Sequence, residues 1–317
     1  MLSGKVKKRR YSKFEKRDMP FVYLLIAFPV LQFLIFWGGV NVSSILLAFQ
    51  DGAGGWTFDN FSNVFKALTD KDMFGFNLSE MILRSFLLWC MSNLICFPIS
   101  IITTYVLFKK VKGHYVFRLL FLVPSLVGGV VWVTLIRYLV AYDGPVMVLL
   151  GKLFSFPELA ERNGLFGDVA TAFPTVMAVT FLTHIVGSNA VLTGAFSRIP
   201  AEIFESSRLD GTSFWREFVS ISVPCIWPTI ATLLTFAFCS VLIADNNIYL
   251  YSLGTGEPGM ATVGFYFTYM TQRISASGGR LAYNYPAAVG LFLTILSVPI
   301  ALGARKALEK AVEPVEY

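Results

Sequence analysis

Glu205, Gly211, Ile221 and Pro224 hold fixed positions in the polar stretch ESSRLDGTSFWREFVSISVP, which lies between two apolar runs of membrane-spanning length. Glu205 precedes Gly211 by six residues, Ile221 follows it by ten, and Val223-Pro224 closes the segment. These residue types suit docking rather than catalysis. Pro200 fits the first turn of a helix, where its missing N–H would have no partner in any case. Glu202 then stands at the positive end of the helix dipole. Ser206 and Ser207 are small enough for another protein's surface to approach the backbone. Asp210-Gly211 reads as a helix stop, because glycine takes the left-handed conformation at little steric cost. Thr212 or Ser213 caps a second short helix, in which Phe214, Phe218 and Ile221 recur on one face. The expected product is a small, rigid helix–turn–helix plug. The alternative is an amphipathic loop lying on a membrane surface.

A second set of chemically able residues sits inside the apolar runs: Asn93, Thr103, Thr104, Thr134, His184, Ser188, Asn189, Asn246 and Asn247. Amides and hydroxyls beside Trp132, Tyr138 and Tyr249 suit a neutral, hydroxyl-bearing solute with a weakly apolar face. Trp132, Asn189, Asn246, Asn247 and Tyr249 are the candidate pathway. The competing reading is that Ser and Thr bond their own helix carbonyls while Asn joins helices, worth about 0.6–2 kcal/mol each. His184 reads as a packing residue. Cys90, Cys96, Cys225 and Cys239 lack metal-ligand spacing, and His114 and His184 stand too far apart to complete a site. No nucleophile cluster suggests an enzyme. Acidic residues keep to span ends and loops, which argues against a proton relay. Neither Gly4-Lys5 nor Gly151-Lys152 sits in a phosphate-cradling Walker frame.

The elements that must position these residues are membrane helices. A 317-residue chain that is 55% hydrophobic and only 15% charged, with mean hydropathy +0.63, is no ordinary soluble domain. The expected fold class is all-α, a polytopic membrane protein with six transmembrane helices. The spans are Phe21–Phe49, Met81–Phe108, Tyr115–Val140, Thr171–Phe196, Val223–Ala244 and Pro286–Ala304. Each carries a proline. The organisation is a basic tail over 1–20, a membrane domain over 21–304 containing the 197–224 loop, and a tail over 305–317. The basic run at Lys5–Arg10 precedes an apolar run without a cleavage pattern, so an uncleaved anchor is expected.

Lys and Arg set the orientation. They concentrate in the N-terminal tail, at Lys109, Lys110, Lys112 and Arg118, at Arg198, Arg208 and Arg216, and at Arg305, Lys306 and Lys310. Both termini and the Glu205 loop are therefore expected in the cytoplasm, and the net charge of +6 is no nucleic-acid footprint. Asp51–Glu80, Asp143–Asp168 and Asp245–Tyr285 are expected outside, with Asp59 and Glu158 as external markers.

The loop resembles the one by which binding-protein-dependent ABC importers grip their ATPase subunits, which reads Glu-Ala-Ala, three residues, Gly, nine residues, Ile-x-Leu-Pro. Here Ser206-Ser207 replace the alanines and Val223 the leucine, with the spacing kept. Phe121–Ser125, Trp132, Asp143-Gly144-Pro145, Ile199-Pro200, Ile248-Tyr249 with Gly254–Thr262, and Tyr283–Ala288 resemble the carbohydrate (maltose and glycerol-phosphate) branch of these permeases. Asn284 and Pro286 depart from that branch's last-span entry, and His184 stands where it commonly has tryptophan. The resemblance implies a permease subunit of an ATP-driven carbohydrate importer in the cell membrane. Its coupling-loop residues are Glu205, Ser206, Ser207, Asp210, Gly211, Phe218, Ile221 and Pro224. The implied partners are a second related permease, two ATPase subunits that bind the ATP and Mg, and an external solute-binding protein. No cofactor is expected in this chain. The rival is an ATP-independent secondary transporter or channel for small neutral solutes.

Overall fold

A computed structural model describes residues 13–72, 74–154, 164–167, 169–187, 189–253, 259–277 and 279–311. Lys5–Arg10, Glu158, Ser188, Gly254–Pro258 and the end of the C-terminal tail lie outside the described residues. Among the described residues, five helices are long and apolar enough to cross a bilayer: α1 (Met19–Ala48), α3 (Leu78–Phe108), α7 (Val169–Phe196), α9 (Phe214–Cys239) and α12 (Asn284–Ala311). The other helices are α2 (Asp59–Thr69), α4 (His114–Leu126), α5 (Gly129–Leu139), α6 (Pro145–Phe154), α8 (Ala201–Leu209), α10 (Ile248–Tyr251) and α11 (Val263–Ser277).

The third expected span is therefore two helices, α4 and α5, rather than one. Val127 (ψ 126°) and Gly128 (ψ 143°) leave the helical region between them. The long 245–285 segment, read from sequence only as aromatic and external, contains α11. Its Val263 N–H donates to the enclosed Ser85 hydroxyl of α3 at 3.0 Å.

Two spans carry a widened π-helical turn one residue before a proline, and the placement has a chemical reason. Met91–Cys96 widens ahead of Pro98, and Phe97 N–H reaches back to Ser92 O. Phe218–Ser222 widens ahead of Pro224, and Val223 N–H reaches Phe218 O. A proline has no N–H and crowds the carbonyl four residues back. A widened turn moves that carbonyl aside and lets the helix continue.

The buried side chains form two separate cores. An outer core joins α2, α3, α5, α7, α11 and α12 through residues such as Leu88, Trp89, Val176, Tyr266 and Val289. An inner core joins the lower half of α3, the end of α7 and both limbs of the Glu205 loop, through Tyr105, Phe196, Phe204, Phe218 and Ile226. Lipid offers no hydrophobic drive between helices, so packing and interhelical hydrogen bonds hold them. Trp89 Nε1 donates to Ala237 O at 2.7 Å and Trp227 Nε1 to Leu308 O at 3.1 Å. Asn284 Nδ2 donates to Asp51 O at 2.7 Å, joining the head of α12 to the end of α1. From Pro20 to Trp37, α1 buries nothing.

Candidate functional site

The Glu205 loop is built around the end of α8. Pro200, in extended geometry (ψ 141°), stands one position ahead of the helix rather than inside its first turn, and Glu202 occupies that turn. The helix closes by a Schellman motif: Thr212 N–H bonds Ser207 O at 3.1 Å and Gly211 N–H bonds Arg208 O at 3.1 Å. This geometry requires the left-handed φ of +66° found at Gly211. Side chains reinforce the turn. Thr212 Oγ1 donates to Ser207 O at 2.6 Å, and the Ser207 hydroxyl meets Thr212 Oγ1 at 2.5 Å.

The two serines consequently do different things. Ser206 faces outward, whereas Ser207 is buried and spends its hydroxyl inside the turn. Ser207 therefore does not offer the free small surface expected of it. Glu205, Ser206, Asp210 and Gly211 are exposed at the tip, together with Leu209, which is 90% exposed.

The second limb is not a separate short helix. It starts at Phe214 after Ser213, whose side chain makes no cap bond, and runs through the π turn into α9. Phe218 is buried, while Ile221 and Pro224 are half-buried behind it. Its ring centroid lies 4.9 Å from that of Tyr105 on α3. The loop is a rigid plug whose apolar back is part of the inner core.

Sequence reasoning missed the polar anchor in that core. Glu217 is only 5% exposed; it accepts a hydrogen bond from Tyr105 Oη at 2.8 Å and pairs with Lys109 Nζ. The Lys109 ammonium also lies 4.1 Å from the Phe204 ring centroid on α8. A signal was present in the chain. Glu217 shares the i, i+3/i+4 face of Phe214, Phe218 and Ile221, and a carboxylate on a buried face needs a buried cation.

The candidate pathway residues fall into two groups at different depths. Asn189 belongs to the inner core: its Oδ1 accepts from Ser100 Oγ and from Thr104 Oγ1, each at 2.8 Å. Its buried Nδ2 has no partner among the described residues. Trp132, Asn246, Asn247 and Tyr249 lie at the other end, where α10 packs against α5. Asn246 (φ +48°) and Asn247 (φ +62°) turn the chain between α9 and α10, a conformation that Asn adopts more readily than most residues. A methyl group added at Gly129 would sit 3.6 Å from Asn247 Oδ1. Trp132 Nε1, Asn246 Nδ2 and Asp245 Oδ1 are buried without partners among the described residues. Burial pushes the Asp245 carboxyl above its ordinary pKa, against the pull of the backbone N–H groups of Asn247, Ile248 and Tyr249. His184 is a packing residue by geometry, its Nδ1 lying 3.0 Å from Thr180 O.

A multi-pass helical bundle with a rigid polar plug at one end and buried polar groups, unpartnered among the described residues, towards the other defines the class: a polytopic helical membrane protein. Comparison with known proteins narrows it. No family model matches the chain. It is 23% identical over 200 residues to the diacetylchitobiose uptake system permease protein NgcF of Streptomyces coelicolor, covering 61% of this chain and 53% of NgcF. It is 24% identical over 300 residues to the arabinooligosaccharides transport system permease protein AraP of Bacillus subtilis, covering 91% and 88% of the two chains. The chain thus spans about half the length of NgcF and nearly all of AraP. Its fold matches that of a crystallised bacterial ABC transporter involved in import of the acidic polysaccharide alginate. The TM-score is 0.74 at 20% identity, over 95% of this chain and 99% of the other. The same transporter fold, in complex with an alginate pentasaccharide-bound periplasmic protein, gives 0.73 at 19% identity over 97% and 100%.

The chain has the ABC importer permease fold over 95% of its length, and the relatives NgcF and AraP are sugar transport permeases rather than enzymes. Nothing among them favours an ATP-independent transporter or channel.

Proposed function

We propose that this chain is one permease subunit of an ATP-driven, binding-protein-dependent carbohydrate importer, supplying half of the pathway. It pairs with a second related permease, two ATPase subunits that bind ATP and Mg, and an external solute-binding protein. It lies in the cell membrane with six passages, α4 and α5 making the third in series, and with both termini cytoplasmic. The observation that carries this reading is the Gly211 turn. A closed, self-bonded plug presents Glu205, Ser206, Leu209 and Asp210 outward while its back is fused to the transmembrane core. Such a plug transmits a push without deforming. ATP-driven closure of the ATPase pair moves it as a lever and switches the pathway between inward- and outward-facing forms.

The solute class follows from the sugars named for NgcF and AraP and from the amide and aromatic groups of Trp132, Asn246, Asn247 and Tyr249. Free N–H groups on Trp132 and Asn246 match sugar hydroxyl acceptors, and the rings of Trp132 and Tyr249 match the apolar sugar face. Asn189 lies deeper and joins α7 to α3, its Oδ1 accepting from Ser100 and Thr104. The test is transport in proteoliposomes with the ATPase and binding protein, offering a panel of di- and oligosaccharides. ATP-dependent uptake of at least one sugar is expected. Uptake that proceeds equally without ATP contradicts the reading.

A further inference from the structure

We infer that Glu217, Lys109 and Tyr105 form a latch that makes α3 move as one body with the coupling loop, with Glu217 as its positioning residue. The inference rests on the reading of the loop as an ATPase dock.

The last turn of α3 is clasped by both limbs of the loop. Lys109 pairs with Glu217 on the second limb and lies over Phe204 on the first. The fully buried Tyr105 donates its hydroxyl proton to Glu217, and its ring centroid lies 5.1 Å from that of Phe214 and 4.9 Å from that of Phe218. Higher on α3, Ser100 and Thr104 bond Asn189 of α7. Displacing the loop therefore draws α3 with it, and α7 through α3.

The choice of residues matters here. Desolvation cancels much of the attraction of a buried ion pair, so three apolar side chains would hold the contact about as well. What the pair adds is direction. The carboxylate is satisfied only while Lys109 and Tyr105 stand opposite it, and a slipped loop leaves a buried charge unpaired. The latch is all-or-none, as a lever joint must be.

The test uses the complete complex with its ATPase, in a background where Cys90, Cys96, Cys225 and Cys239 are replaced. Spin labels are placed on α3 at Leu94→Cys and on the loop at Val219→Cys, both exposed positions. Distance distributions are measured nucleotide-free and after trapping with ATP and vanadate. The latch predicts one unchanged distribution in the otherwise wild-type protein, and a shifted or split one on trapping in Glu217→Gln and in Lys109→Met. Tyr105→Phe, which keeps the ring packing, gives a smaller shift. Exchanging the pair (Lys109→Glu with Glu217→Lys) restores the unchanged distribution, which separates positioning from misfolding. A distance that changes on trapping without any latch substitution overturns the inference, and so does one that stays constant in every variant. A wild-type complex that traps no nucleotide would instead remove the ATPase-dock reading itself.

Discussion

Asn189 on α7 is hydrogen-bonded to Ser100 on α3, Oδ1 to Oγ at 2.8 Å, and both residues are buried. The contact joins two membrane helices within the inner core that also holds the coupling loop. Asn189→Ala removes this bond and the one from Thr104, a loss of about 1–2 kcal/mol in total on the scale of interhelical polar contacts. The expected outcome is less assembled complex and a lower melting temperature, with the ranking of sugars unchanged per complex. Uptake normalised to assembled complex is the measurement; a changed ranking would assign Asn189 to the solute instead.

Trp132 gives the opposite pattern. Its Nε1 is buried with no partner among the described residues, so the N–H contributes nothing visible to packing. Trp132→Phe keeps an aromatic body and deletes one donor. Losing one hydrogen bond to a sugar hydroxyl costs about 0.5–1.5 kcal/mol, roughly 2- to 13-fold in interaction. Re-ranked uptake with normal assembly is expected; identical profiles for wild type and variant would exclude a solute contact.

Leu209 is an aliphatic side chain left 90% exposed at the tip of a rigid turn. On this account it fills a pocket on the ATPase. Leu209→Ala weakens ATPase association by about 2 kcal/mol, or roughly 30-fold, as truncating a central anchor does. The subunit's own melting temperature stays put, because the side chain touches little of its own fold. Binding titrations of detergent-solubilised protein with purified ATPase measure it.

Much of this was legible in the sequence. The stop at Asp210-Gly211 and the shared face of Phe214, Phe218 and Ile221 followed from local rules that hold whatever packs around them. Five of the six expected spans correspond to helices long and apolar enough to cross a bilayer, because apolar runs of that length have few other solutions. What escaped depended on contacts distant in sequence. Ser207 turned inward because Thr212 is there to receive it. Glu217 is tolerable only because Lys109, over a hundred residues earlier, ends α3 opposite it. The break at Val127-Gly128 falls beside Gly128-Gly129 within a long apolar run, a local signal that the run's length outweighed. Asn246 and Asn247 drew attention as polar groups, and their left-handed backbone supplies a second reason for asparagine that composition could not reveal.

The membrane orientation has its own test. Single cysteines at Lys112 and Lys306 are expected to resist a membrane-impermeant thiol reagent in intact cells, while one at Asp59 reacts. Labelling at Lys112 with protection at Asp59 would invert the topology and place the loop on the wrong side for an ATPase.

The central claim, that the Gly211 turn couples this permease to an ATPase, is tested most directly by one substitution series read two ways. A methyl at Gly211 would meet nothing within 4 Å, so any penalty there comes from the backbone φ of +66° alone. Forcing a β-branched residue into that conformation costs about 1–3 kcal/mol, whereas Asn accepts it readily. The measurement is stoichiometric ATPase retention on the purified complex, together with ATP-driven sugar uptake, for wild type, Gly211→Asn and Gly211→Val. The account predicts both readouts near wild type for Asn and both lost for Val, with the Val subunit still inserted in the membrane. Full ATPase retention and uptake in Gly211→Val would contradict it.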